Sequence, residues 1–129
     1  MDKTISYLRI LFHILTLLLI ILSLYPGSIL GFLLYGDFGL QPQITIDFGY
    51  ISSNHLYAYF LISVLGFFSY LRDEKFNLVV IYLFFLSIIL EVTHFVISER
   101  SFQIKDLTGN ILGVLIAYTI VLIYKFWRK

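Results

Sequence analysis

The chain has 129 residues, 60% of them hydrophobic and 13% charged, a balance that excludes an ordinary soluble domain and indicates an integral membrane protein. A net charge of +1 supplies no basic field for nucleic acid, so no nucleic-acid partner is expected. The absence of cysteine excludes disulfides, thiolate nucleophiles and Cys-based metal sites.

At one helical span per ~20 residues, these residues accommodate about four crossings and leave no room among them for a soluble catalytic domain. Function is therefore sought in the spans and their connecting loops. The first apolar run, 8–25, is closed by Pro26 and Gly27, which stop a helix by removing a donor and loosening the backbone. The run is longer than a signal-peptide core and no small-x-small cleavage site follows it, so it is expected to be a retained span.

Residues 26–54 form the longest loop, rich in Gly and containing Pro42. Within it "SILGFLLYG" is too short to cross a membrane, while "QITIDF" alternates like a strand and suggests a small hairpin. Asp37-Phe38-Gly39 and Asp47-Phe48-Gly49 repeat a tripeptide that binds magnesium in kinases. No other kinase signature accompanies them, and both are expected to be turns.

Further apolar runs occupy 55–71, 78–95 and 107–126, and the sequence closes on "YKFWRK", the aromatic and basic pattern of a membrane interface. The expected fold is an all-α integral membrane protein, a four-transmembrane-helix antiparallel bundle forming one domain over 1–129. Lys3, Arg9, Arg72, Lys75, Lys125, Arg128 and Lys129 fall on the side shared by the termini and the 72–75 turn; Arg100 and Lys105 fall on the other. The positive-inside rule then places both termini in the cytoplasm.

Under that topology, His55 opens the second span from the outer side, Glu91 and His94 close the third, and Asp106 and Asn110 open the fourth. Glu91–His94 at i, i+3, His55–Tyr59 at i, i+4, and Asp106, Asn110 and Gly113 at i, i+4, i+7 each share a helix face. An ionised Glu91 inside "FFLSIILEVTHF" costs several kcal/mol unless paired, hydrated or protonated. Its candidate partners are Arg100, His55 and His94.

Two explanations stand side by side. In one, these residues are a polar clasp holding the helices together; in the other, they line a pocket in which Glu91 and His94 are the candidate catalytic, titrating pair, and His55, Tyr59, Arg100, Asp106 and Asn110 bind a ligand. His55, Glu91, His94 and Asp106 also make a chemically sensible metal ligand set, although the leading reading assigns no metal and no cofactor. His13 reads as a polar contact at membrane depth. Gly109 and Gly113 read as a close-contact surface serving packing or dimerisation.

The ordered set His55-Leu56-Tyr57-Ala58-Tyr59, Glu91-Val92-Thr93-His94 with Arg100, and Asp106-Leu107-Thr108-Gly109-Asn110-Ile111-Leu112-Gly113 resembles the VanZ-like family of small membrane proteins. That family carries a Gln where this chain has His94, and often Asp-Lys where it has Ile51-Ser52. The resemblance implies a multi-pass protein of the bacterial cytoplasmic (inner) membrane, with an outward-facing site near lipid or lipid-linked cell-envelope precursors. The family's namesake is linked to resistance to teicoplanin-type antibiotics, which act on such precursors. No reaction comes with the resemblance, so whether the chain is an enzyme stays open, as does an alternative role as a non-catalytic accessory subunit of a larger membrane complex.

Overall fold

A computed structural model describes residues 2–129. The described residues are helical without strands: α1 (Lys3–Leu24), α2 (Ile29–Tyr35), α3 (Ser53–Ser69), α4 (Phe76–Val92), a 3₁₀ turn (Thr93–Phe95) and α5 (Ile104–Trp127).

Local chemistry sets these boundaries. Asp2 caps α1 by accepting from Thr4 N–H at 3.2 Å. The helix stops at Leu24 because Pro26 forces Tyr25 into extended backbone. Ser28 caps α2 through Gly31 N–H at 2.9 Å, and Gly36, left-handed at φ +71°, ends it. Asp73 starts α4 by accepting from the Lys75 and Phe76 N–H groups through its side chain and its carbonyl.

Three segments are long and apolar enough to cross a membrane: Lys3–Leu24, Phe76–Phe95 and Ile104–Trp127. The run expected at 55–71 forms α3, of 17 residues, which at 1.5 Å per residue is about 26 Å long against a ~30 Å hydrocarbon core. It is nonetheless the central helix, packed along α5 and against α1 and α4. Its own Phe67 is fully buried, as are Phe12, Leu83, Val114 and Val121 on the helices around it. By contrast, α1 leaves Ile10, Ile14, Leu17, Leu18 and Ile21 exposed. This continuous apolar face suits hydrocarbon rather than water.

Small residues let α3 and α5 approach closely. A Cβ on Gly109 would lie 2.6 Å from Ser52 O, and one on Gly113 would lie 2.7 Å from Leu56 O. The Gly109–Gly113 surface is thus occupied within the chain, which accounts for it by packing.

The 26–54 segment differs from its sequence-based reading in two respects. It contains α2, and the alternating "QITIDF" stretch forms no hairpin of strands: a single bridge, Phe48 to Ile51, is all that pairs. Alternation alone does not make a strand when no second strand satisfies its backbone. The segment is held instead by side chains, with Asp47 accepting from Lys105 Nζ at 2.8 Å and from Ser53 N–H at 3.1 Å.

Candidate functional site

The ends of α1, α3, α4 and α5 that meet the 26–54 segment carry the polar residues. A backbone bond from Ser52 N–H to Lys105 O at 3.0 Å joins the starts of α3 and α5. This brings His55, one turn into α3, next to Asp106 and Asn110 on α5.

Asn110 fixes the state of His55. It is 1% exposed, and its Nδ2 donates to the Ser87 carbonyl of α4 at 3.0 Å. That assigns its Oδ1 to the opposite side, 2.8 Å from His55 Nδ1, so Nδ1 carries the proton and donates. The other nitrogen, Nε2, lies 3.7 Å from Asp106 Oδ2.

Glu91, at the end of α4, is 1% exposed. Its Oε1 accepts from Gln103 N–H at 2.9 Å, which ties α4 to the start of α5. Its Oε2 lies 3.2 Å from His94 Nδ1, an ion-pair distance, yet the two atoms are not aligned for a hydrogen bond and Oε2 is a buried acceptor without a donor. His94 turns its Nε2 to the Ser23 carbonyl of α1 at 3.0 Å.

Arg100 does not bridge the carboxylates. Its Nε donates to Tyr25 O at 3.1 Å, and one terminal nitrogen donates to Leu22 O and Gly27 O, each at 2.7 Å. It therefore closes the open carbonyl end of α1. Burial pulls its pKa down from the ordinary arginine value while the fields of Glu91 and Asp106 oppose that shift; the group stays charged. The second terminal nitrogen makes no hydrogen bond among the described residues.

Tyr59 is 3% exposed within the helix core, its hydroxyl directed at Leu86 O at the long distance of 3.5 Å. The structure therefore gathers His55, Glu91, His94, Asp106 and Asn110 and sets Tyr59 one turn deeper. His13 lies apart, at the opposite end of the chain's helices, 2.9 Å from Tyr70 Oη. Ser87 and Gln103 contribute through backbone atoms, for which a sequence carries no side-chain signal; Ser23 contributes both its carbonyl and its hydroxyl, the latter 3.3 Å from His94 Nε2.

Two cavities adjoin the cluster. One, of about 580 Å³, is lined by polar side chains including Asn54, His55, Arg100, Gln103, Lys105 and Asp106. The other, of about 390 Å³, is lined mainly by apolar groups including Leu19, Leu22, Ile29, Leu34, Ala58 and Tyr59. Gln41, Pro42, Asn54, His55, His94 and Arg100 belong to both walls.

Among curated proteins and among solved structures, nothing matches the chain. The sequence model described as VanZ/LLP1 matches residues 8–127, nearly the whole chain and all the residues of the cluster. With that coverage and three helices able to cross a bilayer, the chain is a membrane protein of the VanZ-like family.

Proposed function

We propose that this chain binds, or processes, the head group of a membrane lipid or lipid-linked cell-envelope precursor in its polar cavity, with the hydrocarbon part in the apolar one. The observation that carries this reading is the shared wall of the two cavities: a polar and an apolar compartment joined edge to edge suit an amphiphile. Arg100 offers the two N–H groups of its unbonded terminal nitrogen to an anionic oxygen, its other donors being spent on α1. Glu91 and His94 are the pair on which any proton transfer would fall.

The topology belongs to the same proposal. Four crossings of the bacterial inner membrane, in an antiparallel bundle with both termini in the cytoplasm, would turn the cluster outward; the distribution of Lys and Arg supports this, and so does the central packing of α3. Carrier lipids present their head groups at that face.

The test is thermal unfolding of the purified chain in mild detergent against added phosphatidylglycerol or diacylglycerol with the same acyl chains. A ligand at 100 times its dissociation constant adds about 2.7 kcal/mol, so phosphatidylglycerol should raise the Tm and diacylglycerol should not. Equal responses to the two lipids would refute a phosphate-directed site.

A second reading, a non-catalytic accessory subunit of a larger membrane complex, is favoured by Ile44, Ile46 and Tyr50, which are 74%, 84% and 89% exposed on the 26–54 segment. Such residues suit a partner's surface. Under this reading Glu91→Gln is lost by failed assembly or degradation, whereas under the first it gives a folded, stable chain without ligand binding.

A further inference from the structure

Three side chains that the lipid reading leaves without a common task meet at the base of the polar cavity. One ligand atom from each of His55, Glu91 and Asp106 lies within 4.8 Å of the others. His55 and Asp106 reach the cavity wall, whereas Glu91 lies behind them, buried.

Their chemistry is unbalanced as it stands. The buried carboxylate of Glu91 and that of Asp106 on the cavity wall lie close together, and like charges so placed repel; the His94 imidazole, 3.2 Å from Glu91 Oε2, offsets them only in its protonated form. The nearest guanidinium, Arg100, gives its bonds to the carbonyls of α1. His55 places Nδ1 on Asn110 and so leaves Nε2 facing Asp106. Glu91 Oε2 has no hydrogen-bond donor although it is fully buried. One nitrogen and two carboxylate oxygens from three helices lie within 4.8 Å of one another, and Glu91 brings to the group a buried acceptor that costs roughly 1–3 kcal/mol to leave unmet.

The geometry points to a divalent metal site, with His55 Nε2, Glu91 and Asp106 as protein ligands and Zn²⁺ as the ion their mixture of imidazole and carboxylate suits. Ligand atoms at 2.0–2.2 Å from a tetrahedral ion stand roughly 3.4 Å apart. The His55–Asp106 separation of 3.7 Å is near that spacing, and all three ligand atoms lie within 4.8 Å of one another.

The surrounding bonds have the form of an outer coordination sphere. The chain Ser87 C=O, Asn110 amide, His55 Nδ1–H fixes the imidazole tautomer and ring orientation, while Gln103 N–H holds the other oxygen of Glu91. Three protein ligands leave one position open, and it is reached from the polar cavity that His55 and Asp106 line. A water or an anionic oxygen can complete the shell there. This inference goes beyond the lipid reading and does not depend on what occupies the cavities.

The experiment uses the full chain in mild detergent, stripped with a chelator and titrated with Co²⁺ and Zn²⁺. The expected result is one Co²⁺ per chain with visible d–d bands, displaced by one Zn²⁺. His55→Asn, Glu91→Gln and Asp106→Asn should each lower the Zn²⁺ affinity at least tenfold, and Asn110→Leu by 10- to 100-fold. Asp73→Asn, at the far end of the helices, should leave it unchanged. A wild-type chain that takes up no Co²⁺ beyond detergent blanks overturns the site without recourse to any variant. So does stoichiometric uptake that survives the combined His55→Asn, Glu91→Gln, Asp106→Asn change.

Discussion

Asn110 and His55 form a fixed pair between neighbouring helices: Oδ1 of the amide stands 2.8 Å from Nδ1 of the imidazole, while the amide nitrogen is held by Ser87 O on a third helix. The amide thereby ties α3, α4 and α5 together and decides which face of His55 is left open. Interhelical polar contacts of this kind contribute about 0.6–2 kcal/mol each. A double-mutant cycle of Asn110→Leu with His55→Phe, read by unfolding in detergent, should return a coupling of that size. A coupling indistinguishable from zero would show that the pair does not form.

Arg100 acts first on α1. Leu22 O in the last turn of that helix and Tyr25 O and Gly27 O just past it depend on Arg100, and hydrogen bonds involving a charged group contribute roughly 1.5–3 kcal/mol each before loss of the partner is relaxed by water. Arg100→Lys keeps the charge but not the fork. It should lower the unfolding free energy by about 1–3 kcal/mol and weaken phosphatidylglycerol binding. Full stability with Lys at this position would mean that the carbonyl clamp is unimportant.

Gly113 tests the approach of α3 to α5. An added methyl would meet two backbone atoms, Leu56 O at 2.7 Å and Phe60 N at 2.8 Å, so the helices themselves must separate. Gly113→Ala should destabilise by about 1–3 kcal/mol while leaving the oligomeric state by light scattering unchanged. A shift in oligomeric state would instead assign this surface to association between chains.

Asp47 makes the 26–54 segment sensitive to acid. The hydrogen bond from Lys105, followed by that from Ser53 N–H, holds its carboxyl below the ordinary value of 3.8, against a smaller upward push from burial. A carboxyl depressed in the folded state stabilises it above the unfolded pKa and loses that effect as pH falls through the folded one. The Ser53 amide should therefore show a high protection factor, its intrinsic rate divided by its observed rate at the same pH, at neutral pH and a lower one once pH drops below about 3.8. Asp47→Asn should be weakly protected throughout. Protection in the wild type that does not change with acid would contradict the staple.

The apolar runs were legible because hydrocarbon-length hydrophobic segments admit few other structures. Their helices begin two to five residues before the runs do, as where the Asp2 cap extends α1. The meeting of His55, Glu91, Asp106 and Asn110 could also be anticipated from chain direction and helix-face spacing. The target of Arg100 could not: it binds main-chain carbonyls, which no residue letter records. Pro26 was the available clue, because a helix ended by proline leaves carbonyls that need a donor. Likewise α2, at seven residues, is too short for periodicity to distinguish from a loop.

Native mass spectrometry of the chain extracted in mild detergent tests the paired cavities most directly. The account predicts one co-purified, phosphate-bearing amphiphile per chain, lost when Ala58→Trp fills the apolar cavity and when Arg100→Gln removes the guanidinium. Chains that carry no such molecule, or that keep it through both substitutions, would contradict it.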